Sequence, residues 1–198
     1  MKYIVRYGVA AVLLTVAAGM TFAEDQSAQP RQRGFFFEGE IGPAYTSYDP
    51  TTDALFSQAQ ALGASRVRVM LSLALGYAVS KNLYVIGGVV GYGDRFYDSY
   101  NFVQLNTYFW NLGVRYYPFT TGLVLGLDAG LANMAVVSDV GLSGSSASPG
   151  FGSGILIAYD FARNPTGFSF ETGVRADYAN IDGSPMSGVA LVLALLWK

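Results

Sequence analysis

The sequence predicts an all-β fold, an eight-stranded antiparallel up-and-down transmembrane β-barrel. Three observations predict it. Apolar residues alternate with small or charged ones in segment after segment. The composition is 52% hydrophobic and only 13% charged, yet after the N-terminus no apolar run reaches the roughly 20 residues of a spanning helix. Aromatic residues gather near the segment ends. The alternation is clearest over residues 66–79, RVRVMLSLALGYAV, where Val67, Val69, Leu71, Leu73, Leu75, Tyr77 and Val79 take every second place. Successive side chains of a strand point to opposite faces, so this segment has one apolar face and one small or charged face. It exceeds the roughly 9–11 residues with which a tilted strand crosses a bilayer. Backbone polar groups in lipid are satisfied only in helices and closed barrels, so a barrel follows.

The N-terminus sets the compartment. Lys2 and Arg6 precede an apolar run from Gly8 to Met20, then Thr21-Phe22-Ala23 before Glu24. This is the pattern of a cleaved secretory signal over residues 1–23. Residues 24–33 are polar and predicted to be a periplasmic N-terminal segment, and residues 34–198 the outer-membrane barrel. The signal holds two of the 12 basic residues and none of the 14 acidic ones, so the remainder has a formal charge of −4. A chain of that charge has no basic footprint for nucleic acid. Without cysteine, disulfides, thiolate metal sites and an N-terminal lipid anchor on Cys are excluded.

The first strand is placed at 34–46, with Phe35, Phe37, Ile41 and Tyr45 outward and Glu38 and Glu40 inward. The second is the segment above, with Arg66 and Arg68 inward; Ser80-Lys81-Asn82 turns the chain. The third, 83–93, has two apolar faces; Tyr84, Ile86, Val90 and Tyr92 are assigned outward and Gly87, Gly91 and Gly93 inward. The fourth, 102–117, sends Tyr108, Trp110, Leu112, Val114 and Tyr116 out and Asn111, Gly113 and Arg115 in, before a turn at 118–122. The fifth, 123–135, has leucines outward and Gly126, Asp128 and Gly130 inward. The sixth, 150–161, sends Phe151, Ile155, Ile157, Tyr159 and Phe161 out and Asp160 in; Asn164-Pro165 marks a turn. The seventh, 168–180, has Phe168, Phe170, Val174 and Tyr178 outward and Glu171, Arg175 and Asp177 inward. The eighth, 187–198, shows Val189, Leu191, Leu193, Leu195 and Trp197 on one face.

Connections alternate in length. Short turns follow the second, fourth and sixth strands. Longer loops are expected at 47–65, 94–101, 136–149 and 182–186, the asymmetry of short periplasmic turns and longer surface loops. A soluble eight-stranded barrel faces the other way, apolar inside and charged outside. Here the charges share the glycine- and alanine-rich face, which is the inside of a narrow barrel.

Two aromatic belts are expected to bound the apolar band. The girdle residues are Phe35, Tyr77, Tyr84, Tyr116, Tyr159 and Trp197 at the turn side and Tyr92, Tyr108, Trp110 and Tyr178 at the loop side. With the signal, the alternating strands and the apolar-aromatic last strand, this pattern resembles the small outer-membrane barrels typified by OmpW, OmpX and the OmpA transmembrane domain. The resemblance to OmpW is favoured. It covers most of residues 34–198 and rests on pattern, without a short diagnostic motif. It implies a monomeric barrel among outer-membrane lipids, inserted by the barrel-assembly machinery through its last strand. Members often end in Phe or Trp; this chain ends Leu195-Leu196-Trp197-Lys198.

The interior is expected to carry Glu38, Glu40, Asp128, Asp160, Glu171 and Asp177 with Arg66, Arg68, Arg115 and Arg175, and Lys198 at the rim. An eight-stranded barrel is barely wide enough for its own side chains, so these charges form either a salt-bridge network or the lining of a narrow path. Enzymatic barrels that this chain resembles use a histidine, and it has none; no catalytic, metal or cofactor site is expected. In the first loop Ala54, Leu55, Phe56, Ala59 and Leu62 recur at helical spacing; they are expected to pack the loop, the alternative being a short amphipathic helix over the mouth or against the outer leaflet. The OmpW resemblance implies passive binding or passage of small hydrophobic molecules. The alternative, OmpX- or OmpA-like, is a plugged structural or adhesive barrel whose loops meet extracellular ligands.

Overall fold

The computed structural model describes residues 34–118, 122–139, 141, 143–145, 148–161 and 167–197. The signal, the polar segment 24–33, Asn164-Pro165, most of the turn at 118–122 and Lys198 lie outside them. Strands β1 (Phe35–Ser47), β2 (Ser65–Ala78), β3 (Leu83–Tyr97), β4 (Phe102–Tyr116) and β5 (Leu123–Ser138) are joined by β7 (Gly150–Asp160), β8 (Phe168–Ile181) and β9 (Ser184–Trp197). Each pairs antiparallel with its neighbour, and β9 pairs with β1, so the sheet closes. Closure leaves no edge strand. A three-residue strand, β6 (Ser143–Ser145), pairs with Ala135–Val137, past the stretch of β5 that pairs with β7. Helix α1 (Pro50–Ala61) fills the first connection.

Pairing fixes which side chains share a face. Val67 to Tyr77 of β2 are exposed on the outside at every second place, while Met70, Ser72, Ala74 and Ala78 are buried inside. Leu71 pairs with Gly91, and Leu73 with Val89. Directly paired residues lie on the same side of the sheet. β3 is therefore reversed from the sequence assignment: Gly87, Gly91 and Gly93 face out, and Tyr84, Ile86, Val90 and Tyr92 face in. Tyr84 and Tyr92, 3% and 1% exposed, are thus not girdle residues. Two apolar faces leave the alternation of β3 silent, and only its partner β2 decides.

The connections also differ from expectation. β3 runs on to Tyr97, leaving only 98–101 before β4. β8 and β9 are joined by Asp182-Gly183, with φ of 50° and 82°, the two-residue type I′ hairpin that Asp-Gly favours. Length asymmetry therefore rests on the two connections 48–64 and 139–149. Near the middle of β1, Pro43 offers no N–H to the ladder. Beside it, a Cβ on Gly42 would fall on the Leu191 carbonyl, so only glycine permits this approach of β1 to β9.

The core is the lumen. Phe36, Tyr84, Ile86, Val124, Leu156 and Leu196 are buried there, as are Met70, Val90, Phe109, Ala132 and Met186. On the outside, β4, β5 and β9 each carry about nine residues of apolar surface (Tyr108–Tyr116, Leu123–Leu131, Val189–Trp197), the length of a tilted span. Asn106, Asn133 and Ser187 lie on the same face just beyond each band.

Candidate functional site

Among the described residues, the charged interior side chains gather in a central cluster and in a second one at the loop end. The central one is built on alternate residues of β1, β4, β5 and β8, where the strand period sends every second side chain to the lumen. Arg175 donates from Nη2 to Asp128 Oδ1 at 2.6 Å and from Nε to Asp177 Oδ2 at 2.8 Å. Asp128 also accepts from Arg115 Nη1 at 3.2 Å and Asn111 Nδ2 at 3.3 Å. The Tyr92 hydroxyl donates to Asp177 at 2.6 Å. Glu38 and Glu40 stand 3.7 and 3.8 Å from Arg115 Nη2, and Glu40 is 3.8 Å from Arg175 Nη1. These are ion-pair distances without a direct hydrogen bond. Four carboxylates thus surround two guanidiniums. Every group is buried, which a low-dielectric interior tolerates only when charges are matched or hydrogen-bonded.

Asp160 and Glu171, also buried, lie apart from this cluster. Ser169 donates to Asp160 at 2.7 Å and Tyr117 donates to Glu171 at 2.9 Å.

The second cluster is at the loop end. Arg66 donates from Nε to Asp94 Oδ1 at 2.9 Å and from Nη2 to Oδ2, while Thr46 donates to Oδ2 at 2.6 Å. The Arg66 guanidinium sits 5.1 Å from the Phe56 ring centre and 4.7 Å from that of Phe96. Phe56 comes from α1, stacks on Phe96 at 4.3 Å, and meets the edge of Tyr48 at 5.4 Å. Arg68 leaves this network: its guanidinium lies 4.6 Å over the Tyr45 ring and donates to the Thr46 carbonyl.

Local hydrogen bonds seat α1 on this cluster. Asp49 caps it, accepting from the Thr51 and Thr52 amides and the Thr52 hydroxyl, as N-cap aspartates do. The Thr52 hydroxyl, then its amide, hold the Asp49 carboxyl below its ordinary pKa. Asp53 accepts from Ser47 Oγ at 2.7 Å and the Tyr48 amide at 3.1 Å. Burial pushes the Tyr48 hydroxyl up, with Asp94 adding to it. In the 98–101 turn the Tyr100 and Asn101 amides lower Asp98.

The expected interior residues therefore separate into three places. Arg115, Arg175, Glu38, Glu40, Asp128 and Asp177 meet; Arg66 and Arg68 lie at the mouth; Asp160 and Glu171 lie apart. Tyr92 and Asp94 escaped the sequence reading, which did place Asn111 inward but did not count it with the charged interior residues. Tyr92 was assigned to the wrong face and Asp94 to a loop, and the pairing of β3 with β2 is the signal that places both.

Of the aromatic residues assigned to a girdle, Phe35, Tyr77, Tyr108, Trp110, Tyr116, Tyr178 and Trp197 are exposed on the outer face. Tyr159 shares the outward row of Leu123 and Thr172 but is only 2% exposed, its ring 5.1 Å edge-on from Phe161. Covered in this way, it does not belong to an exposed belt. Among the described residues, no His, Cys, Asp and Glu group is arranged to hold a metal.

No protein-family model matches the sequence, and no curated protein does. Solved structures do match the fold. Neisserial surface protein A superposes with a TM-score of 0.58 at 16% identity, over 85% of this chain and 99% of that one. Ail, the attachment invasion locus protein of Yersinia pestis, gives 0.54 at 13% identity, over 84% and 100%. At such identities the likeness is one of fold.

Proposed function

We propose that the chain is a non-enzymatic outer-membrane barrel with a plugged lumen, which displays its loops at the cell surface. The observation that carries this is the burial of the inward side chains around a paired-charge cluster. Phe36, Tyr84, Val124 and Leu196 are buried with Asp160 and Glu171 toward the turn end, the Arg115–Arg175 cluster crosses the middle, and Phe56 stacks on Phe96 at the loop end. A solute crossing this lumen has to break paired charges in a dry interior, at a cost of several kcal/mol for each uncompensated ion. The passage of hydrophobic molecules that the OmpW resemblance implies has no such interior to use. The membrane placement is supported by the outward apolar band, the signal pattern and the fold shared with Neisserial surface protein A and Ail.

The exposed groups at the loop end include Asp98, Asp139 and Asp182, with Leu55, Leu62 and Tyr100. An acidic and apolar surface of this kind suits a basic protein partner better than a polyanion. Purified protein reconstituted in planar bilayers is expected to be electrically silent, and liposomes carrying it to exclude a hydrophobic dye. Single-channel events or dye uptake that change on deletion of residues 53–63 would establish transport instead.

A further inference from the structure

The central cluster does not balance in charge. Among the described residues, Glu38, Glu40, Asp128 and Asp177 bring four carboxylates to the two guanidiniums of Arg115 and Arg175. The aspartates take the donors. Asp128 accepts from both arginines and from Asn111, and Asp177 accepts from Arg175 and the Tyr92 hydroxyl. None of the four oxygens of Glu38 and Glu40 accepts a hydrogen bond, although these residues are only 1% and 3% exposed.

The strands on either side bring no cation to them. In the register of β1 with β2 and β9, Glu38 lies between Ala74 and Leu196, and Glu40 between Ser72 and Ala194. Across the lumen β3 supplies Tyr92, β4 Asn111 and Arg115, β5 Asp128, and β8 Arg175 and Asp177; β7 reaches the cluster with Gly154. One nitrogen, Arg115 Nη2, faces both glutamates, at 3.7 and 3.8 Å. Two residues apart on one strand face, the glutamates are also within hydrogen-bonding reach of each other. Ionised carboxylates are acceptors only, so nothing joins them there. Two desolvated like charges this close do not both persist.

We infer that Glu38 and Glu40 hold one proton between them at neutral pH. One is the neutral acid and donates to the other, which keeps its charge and faces Arg115. The proton comes from water, and no other bond changes. The cluster then sets three negative charges against two positive ones, and every remaining carboxylate has a donor. A metal ion is a poorer occupant, because the same carboxylates stand beside two guanidiniums and no group among the described residues is arranged to hold one. The proton lets one strand place two glutamates in a lumen that has two arginines. A conducting lumen with this cluster would hold the same proton, so the bilayer measurement above and the measurements below fail separately.

The chain has no histidine and no cysteine, so no side chain has its ordinary titration between about pH 5.5 and 8. A proton held by the folded barrel and released by the unfolded chain makes stability fall as pH rises. Urea unfolding in liposomes is expected to give the parent an unfolding constant that grows about tenfold per pH unit in this window, until the pair releases its proton. Glu38→Gln and Glu40→Gln should each flatten the profile, with a heat-modifiable gel shift to check folding. In a detergent without ester groups, the infrared carbonyl band of a protonated carboxyl should appear in the parent at neutral pH and be missing from both variants. Isotopic labelling of the glutamate carboxyls should shift that band, which reads the parent with no substitution at all. A parent without the band, or with a flat profile, overturns the inference, because both glutamates are then ionised. A band that labelling leaves in place, or that survives both substitutions, overturns it as well and puts the proton on another carboxyl.

Discussion

Arg175 holds Asp128 and Asp177 at once, 2.6 and 2.8 Å away, while Glu40 waits at 3.8 Å. Truncating it leaves the four buried carboxylates of the cluster with Arg115 as their one guanidinium. Removing one partner of a buried ion pair costs about 3–5 kcal/mol, because the uncompensated charge stays in the interior. Arg175→Met is therefore expected to lower the unfolding free energy by about that amount. Glu38→Gln works the other way, since it removes one negative charge from a cluster in which carboxylates outnumber guanidiniums. It should leave stability within about 1 kcal/mol of the parent, because Arg115 keeps Glu40 and Asp128 as partners and no charge is left uncompensated. Urea unfolding in liposomes, followed by tryptophan fluorescence, measures both. Equal midpoints for Arg175→Met and the parent would show that the cluster does not hold the barrel together.

At the scale of the element, β3 tests the facing of the wall. A Cβ at Gly88 would meet the Leu73 carbonyl at 2.4 Å and Ala74 Cα at 2.9 Å, while one at Gly93 would meet only side chains at 3.6 Å or more. Gly88→Val should lose about 1–3 kcal/mol through overpacking, and Gly93→Val should stay within about 0.5 kcal/mol as a surface change. Heat-modifiability and urea midpoints read the pair, and the reverse order would restore the facing that the alternation suggested. β2, β4, β8 and β9 were legible from sequence because polar or small residues mark one face and large apolar ones the other. β3 was not, because Tyr84, Ile86, Val90 and Tyr92 are as apolar as the residues between them. Asp94 and Arg95 resemble loop residues by type, yet the ladder to Arg68 and Val67 carries the strand past them. The central cluster was legible as a set of charges. Its partition, with Arg66 at the mouth and Asp160 apart, depends on register, which a single strand does not reveal. The helical spacing over Ala54–Leu62 suits loop packing as well as a helix, and the structure forms α1 (Pro50–Ala61) there; the stacking of Phe56 on Phe96 is a long-range contact.

The whole molecule inverts the usual order of a folded chain, with charges at its centre and leucines on its outside. Its stability in place therefore depends on what surrounds it. The outward apolar bands of β4, β5 and β9 end at Asn106, Asn133 and Ser187, and about nine residues of tilted strand make a band about 25 Å tall. A thicker bilayer has to thin locally to meet this band, or else bury those polar residues, at a modest cost per ångström of mismatch. Dilauroyl phosphatidylcholine should thus give the highest unfolding free energy and the fullest refolding from urea. Dimyristoyl bilayers should come next and dioleoyl bilayers last. Moving the boundary should move the optimum: Asn106→Leu with Asn133→Leu lengthens the band at two adjacent strands and is expected to favour dimyristoyl bilayers relative to the parent. An optimum that ignores chain length in both proteins would mean that the polar residues do not mark the edge of the hydrocarbon, and that the band is set by something other than the alternation along these strands.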